Sequence, residues 1–160
     1  VSMNKKGITK LIFCCMFTLI FLMSNSVFAD SQINKRQTDI PMLSELKQLS
    51  SNQLQVTYDQ PVELSKGIDP KNYWIQSTTE ASPTGIATLG VNDTVNPGNS
   101  LTSAKVTIRA VGNNNTVFVL TFNQDITKDK AYKMIICYVT KPGAPPYTGD
   151  NGSATFVGSF

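Results

Sequence analysis

The chain of 160 residues contains no histidine. That absence removes the side chain most used as a general base near neutral pH, and with it the commonest transition-metal ligand. Cysteine is almost as scarce, with three in the whole chain. Cys14 and Cys15 lie in a segment expected to be cut away, which leaves Cys137 alone and allows no internal disulfide. One thiol and no imidazole exclude a zinc site of ordinary composition, and they exclude Cys-His and Ser-His-Asp nucleophiles. Paired carboxylates are the remaining ordinary catalytic option. Asp59, Glu63, Asp69, Asp125, Asp129 and Asp150 all fall at or near turns, where Asp mainly serves backbone geometry. The chain is therefore read as a non-enzyme with no cofactor and no metal. Calcium is the cation that oxygen-rich loops suit best, and Asp59, Asp69, Asp125 and Asp150 could approach one another. No EF-hand spacing exists, however, and Gly149-Asp150-Asn151-Gly152-Ser153 reads as a turn.

Long apolar runs are missing as well, apart from one near the start. Met3-Asn4-Lys5-Lys6 and Lys10 precede Leu11 to Met23, an apolar core of about 13 residues that falls short of the ~20 needed to span a bilayer. Val27-Phe28-Ala29 places small residues where a signal peptidase reads, so 1–29 is a signal peptide cut before Asp30. The mature chain is then secreted, extracellular or associated with the cell envelope, with no membrane segment. Lys5, Lys6 and Lys10 are three of the 14 basic residues, against 11 acidic residues that all lie at or after Asp30. Removing the signal brings the balance to zero, which takes away the electrostatic argument for nucleic acid or an anionic membrane surface. Residues 30–42 are polar and aperiodic, the composition of a flexible leader, and 43–160 form one domain.

Within that domain the dominant signal is short alternation broken by turn chemistry. Leu43, Leu46 and Leu49 recur every three residues, a helical spacing. The turn cluster Ser50-Ser51-Asn52-Gln53 nevertheless favours a first strand near Glu45 to Leu49. Leu54, Val56 and Tyr58 alternate with Gln55 and Thr57; Ala104, Val106, Ile108 and Ala110 alternate with Lys105, Thr107 and Arg109. Gly112 to Asn115 closes a hairpin into Val117 to Phe122. Tyr132 to Val139 and Ala154 to Val157 follow, and Thr78 to Thr102 is mostly loop with a short strand at Ile86 to Leu89. The pattern predicts an all-β, two-sheet immunoglobulin-like sandwich of about seven or eight short antiparallel strands.

Two stretches echo each other. Gln55-Val56-Thr57-Tyr58-Asp59-Gln60-Pro61-Val62 and Val119-Leu120-Thr121-Phe122-Asn123-Gln124-Asp125-Ile126 each run from an alternating strand through an aromatic and a polar turn to an aliphatic residue. Each is followed by a Tyr opening another strand, in Asn72-Tyr73 and Ala131-Tyr132. With the closing Gly149 to Val157, these motifs resemble the immunoglobulin-like domains repeated in bacterial surface-layer and cell-envelope proteins. The resemblance implies a structural or adhesive role and brings no catalytic residues. Such domains usually come in tandem with an anchoring module. This chain has one copy and no Leu-Pro-x-Thr-Gly motif, which suits a freely secreted or loosely associated domain.

Strand phase then suggests a surface. With Tyr73, Tyr132, Met134, Ile136 and Tyr138 facing the core, Trp74, Ile135, Cys137 and Val139 point the other way, as do Val117 and Val119. A free Cys is usually buried, so a leader, second subunit or neighbouring domain is expected to cover that face; the alternative is a phase off by one at a bulge. Tyr147, beside Pro142-Gly143-Ala144-Pro145-Pro146, is a further candidate contact on an extended loop. The function expected from these features is a secreted module acting by surface contact with another protein or cell-surface component. Two alternatives stand beside it: a small carbohydrate-binding module stacking polysaccharide on Trp74, Tyr138 or Tyr147, and a self-assembling subunit, a homo-oligomer through the apolar sheet face. Asn92-Asp93-Thr94, Asn114-Asn115-Thr116 and Asn151-Gly152-Ser153 match glycosylation sequons but read as Asn-rich turns.

Overall fold

The period-two stretches become strands whose apolar members share one core. The computed structural model describes residues 40–160; the expected signal peptide, 1–29, and most of the expected leader lie outside the described residues. The strands are β1 (Leu43–Ser50), β2 (Gln53–Tyr58), β3 (Tyr73–Ser77), β4 (Val106–Val111), β5 (Val117–Phe122), β6 (Ala131–Cys137) and β7 (Asp150–Val157). A single turn of helix, α1 (Leu64–Gly67), precedes β3. Two antiparallel sheets result, β1-β2-β5-β4 and β3-β6-β7, so the chain is the two-sheet β-sandwich that its alternation predicts. Leu54, Val56, Ile108, Phe118, Leu120 and Phe122 of the larger sheet share a core with Tyr73, Ile75, Tyr132, Met134 and Ile136 of the smaller. Each large apolar side chain withdrawn from water is worth about 1.5–3 kcal/mol. Cys137 is a free thiol, so this core has no covalent support among the described residues.

The echoed motifs do equivalent work at two places. Tyr58 and Phe122 end β2 and β5, and both are buried. The polar turns after them bring Val62 and Ile126 back into the same core. Tyr73 and Tyr132 point inward from β3 and β6 with no exposed surface. The two copies differ in how they satisfy the phenols. Tyr73 Oη donates to the Gly67 carbonyl at 2.6 Å and lies 3.0 Å from Tyr58 Oη, which ties both sheets to α1. Gly67 is required there, because a Cβ would fall 2.3 Å from the Phe118 ring. Tyr132 instead stacks on Phe156 at 5.4 Å between ring centres, and its hydroxyl has no protein partner.

The spacing of three among Leu43, Leu46 and Leu49 belongs to a strand after all. Register shifts in the β1–β2 ladder between Leu43 and Glu45, and again between Gln48 and Ser50, insert the odd residue that a regular strand lacks. Leu43 and Leu46 consequently both pack against the core, and Leu49 stays exposed. Ile86 to Leu89 forms no full strand. It makes one parallel bridge, Leu89 with Gln76, and Thr88 and Leu89 donate to the Ile75 carbonyl. This segment covers the outer edge of β3, an edge that would otherwise invite pairing with another chain.

Residues 40–42, expected to belong to a flexible leader, are held by the domain. Gln60 Nε2 donates to the Ile40 carbonyl at 2.7 Å, Met42 N donates to Asp59 Oδ1 at 2.8 Å, and Asp59 N donates to the Met42 carbonyl at 3.0 Å. Asn151, wholly buried, fixes Pro41 more firmly. Its Nδ2 donates to the carbonyls of Pro41 and Val139, and its Oδ1 accepts from Val139 N, all between 2.8 and 2.9 Å. One amide side chain thus joins the incoming chain, the end of β6 and the start of β7.

Candidate functional site

The surface expected from strand phase is mostly covered. Trp74 does leave the main core, yet it has no exposed area. The long connection after β3 folds over the outer face of the smaller sheet and adds a third layer. In that layer Trp74, Leu89 and Cys137 form a second cluster, flanked by Val95, Ile135 and Tyr138. Trp74 Nε1 donates to Asn99 Oδ1 at 2.9 Å and to the Asn96 carbonyl at 3.0 Å. Asn96 and Asn99 cap each other across the turn Pro97–Asn99, so the indole is locked to a rigid loop. The cover comes from this chain itself, and Trp74 is unavailable for stacking on a sugar. Polarity hides this from the sequence, because Thr78 to Thr102 carries few apolar residues, and Leu89 and Val95 are the ones that press on the indole.

Val139 is a second correction. It lies in the main core, and Tyr138, expected there, is turned outward with its ring 5.9 Å from Trp74 in an edge-on contact. The cause is backbone conformation at Tyr138, whose φ is +68°. A residue in the left-handed region ends the alternation and shifts the phase of everything after it by one. The β6–β7 ladder is also irregular between Ile135 and Cys137.

Cys137 is 8 % exposed, so it offers no contact surface; burial, and secondarily the Asp150 carboxylate, raise its thiol pKa above the ordinary value. Val119 is likewise buried. It stands in register between Gln55 of β2 and Arg109 of β4, long side chains that shield a valine between them. Val117 and Ile135 are half-buried. The outward row Thr57, Val117 and Val111 exposes only Val111 strongly among its apolar members.

Several acidic side chains are committed to the backbone or to short polar contacts. Asp69 Oδ1 accepts from Lys71 N at 3.0 Å, Asp150 Oδ1 from Gly152 N at 2.7 Å and Asp125 Oδ1 from Ser51 Oγ at 2.7 Å. Asp59 secures Met42, as described above. Among the described residues no three of His, Cys, Asp and Glu gather where they could hold a metal ion. Glu80 pairs with Lys130 across the loops, and that ammonium, with the Thr84 hydroxyl, lowers its carboxyl pKa. Of the sequon asparagines, Asn92 and Asn114 are exposed and Asn151 is inaccessible.

A concavity lies beside the point where the chain enters the domain. A groove of about 400 Å³ runs between Ile40-Pro41 and the loop 144–147, with Val139 and Thr140 beneath it. Tyr147 lines it. Its hydroxyl donates to the Asp150 carbonyl at 3.1 Å, and a Cβ at Gly149 would collide with the phenol. Tyr147 is thus the expected contact residue that the fold leaves partly open in a concave setting.

Among the described residues these features define a sandwich domain whose side chains serve packing and turn geometry, with a loop-lined groove beside the chain's entry. No family model matches the chain, and no curated protein matches it. Solved structures share its fold, among them fragments of one S-layer protein. The N-terminal part of the bacterial S-layer protein SbsC aligns over 81 % of this chain at 13 % identity with a TM-score of 0.52. The S-layer protein rSbsC(31-844) aligns over 81 % at 14 % identity and 0.52, and domains 1-6 of surface layer protein SbsC over 80 % at 16 % identity and 0.50. The chain spans 26 % of the first structure and 15 % of the others. At these identities the likeness is one of fold.

Proposed function

We propose that this chain is a non-enzymatic module of the bacterial cell envelope or extracellular space that acts by surface contact. The observation that carries the reading is the fold, a seven-stranded sandwich shared with part of an S-layer protein. The chemistry of the surface supports it, since Asp59, Asp69 and Asp150 are spent on backbone amides and Asp125 on a neighbouring loop. A short apolar run after a lysine-rich start supports export. The third layer and the covered β3 edge suit a domain that meets neighbours side by side at that edge.

The test is location and assembly together. Antibody labelling of intact cells of the bacterium that carries this chain is expected to mark the outside. Fractionation that leaves the protein in the cytoplasm, with the first 29 residues still attached, would refute the reading. Assembly through the Trp74 face loses its motive, because Leu89 and Val95 already occupy that face.

A further inference from the structure

We propose that the groove between Pro41 and the Pro145-Pro146-Tyr147 loop binds a neutral sugar ring, one pyranose unit of a surface polysaccharide, stacked on the Tyr147 phenol. The inference goes beyond the envelope reading and stands on the groove's own construction. Its volume of about 400 Å³ falls in the range of small-ligand sites. Its lining carries four rings, those of Pro41, Pro145, Pro146 and Tyr147. A pyranose presents the matching chemistry, flat patches of C–H with hydroxyls at the edge, and an aromatic face is the natural platform for it.

The platform is built in advance. The Tyr147 hydroxyl donates to the Asp150 carbonyl, which fixes the position of the ring. The ring rests where only glycine fits beneath, because a Cβ on Gly149 would come 2.2 Å from the phenol oxygen. The opposite wall is fixed by the triply bonded Asn151, which holds Pro41 against Val139. Thr140, 5 % exposed, lies on the groove floor, and Asp150 adjoins the Tyr147 hydroxyl. Lys141 is the one charged side chain in the lining, so recognition has to come from faces and hydroxyls more than from ion pairs. A proline-rich peptide is the other ligand that packs on such surfaces, but grooves for it are lined with several aromatics. Here Tyr147 is the single one.

The experiment uses the full chain, isotopically labelled for NMR, titrated with soluble oligosaccharides of glucose, mannose, galactose and N-acetylglucosamine. Amide shifts confined to Ile40 and to the non-proline residues of 139–150 are expected with at least one of them, saturating in the millimolar range. Tyr147→Ala is expected to weaken that affinity about tenfold, the loss of one stacking contact, without shifting the unfolding midpoint. Gly149→Ala, which displaces the ring while keeping it, is expected to do the same. The proposal is overturned if no sugar produces the shifts, if Tyr147→Ala leaves them unchanged, or if a proline-rich decapeptide produces them and the sugars do not. None of these outcomes bears on where the protein resides, so the groove and the envelope reading fail separately.

Discussion

Tyr138 offers a test in which two small substitutions separate backbone strain from side-chain contact. Its φ of +68° lies in the left-handed region, where a Cβ crowds the following carbonyl at a cost of about 1–2 kcal/mol. Tyr138→Ala removes the edge-on contact with Trp74, worth about 0.5–1.5 kcal/mol, and keeps the strain. Tyr138→Gly removes the same contact and relieves the strain. Glycine also frees the unfolded chain, which offsets part of the relief by about 0.4–1 kcal/mol. The glycine variant is therefore expected to be more stable than the alanine variant by about 0.5–1 kcal/mol, a few degrees of melting temperature in a domain of this size. Lys133, in the regular part of β6, supplies the control: there the order reverses, with glycine below alanine by about 0.5–1 kcal/mol. Urea unfolding followed by the emission of Trp74, the one tryptophan in the chain, reads all four variants. Tyr138→Ala matching or exceeding Tyr138→Gly would show that the phase change on β6 is unstrained and that the reasoning is wrong.

Three further outcomes follow from the geometry. Asn151→Ala leaves buried groups of Val139 and Pro41 without a partner and is expected to cost at least about 2 kcal/mol by the same urea assay; a loss below half of that would mean that water replaces the amide. Burial, followed by their mutual interaction, raises the Tyr58 pKa, and burial raises that of Tyr73, while in the unfolded chain both ionise near 10.0. The unfolded state then binds fewer protons above that value, so stability present at lower pH falls as pH rises past about 10, and Tyr73→Phe flattens this alkaline limb while lowering stability at neutral pH. Cys137, buried with a raised thiol pKa, is expected to ignore thiol reagents at mildly alkaline pH until the protein unfolds; stoichiometric labelling of the native protein would contradict the third layer over the smaller sheet.

Much of the sandwich is legible from one dimension. Leu54-Val56-Tyr58 and Phe118-Leu120-Phe122 announce their faces because a strand alternates its side chains regardless of what lies opposite. The inward Tyr73 and Tyr132 follow from the echo for the same reason. Trp74 is a harder case, since its outward direction can be read and its burial cannot. The cover comes from Leu89, Val95 and Asn99, which sit in a polar stretch 15 to 25 residues away and carry no period that marks them as a layer. Val139 and Tyr138 exchange places because a single φ of opposite sign interrupts the alternation, and nothing in Ile136-Cys137-Tyr138-Val139 signals a left-handed residue where glycine or asparagine would. Tyr147 stands out in sequence as an aromatic beside prolines. Its groove appears only when Asn151 brings Pro41 from more than a hundred residues away.

Sequence alone therefore determined that histidine-based and paired-thiol chemistries lack their residues, that the class is all-β, and which faces of the regular strands point inward. All of these depend on composition or on local periodicity. Tertiary structure decided what covers the outer face of the smaller sheet, where the phase of β6 breaks and where a concavity opens. Those outcomes rest on contacts between distant segments, whose partners compete through packing and hydrogen bonding that no local pattern encodes.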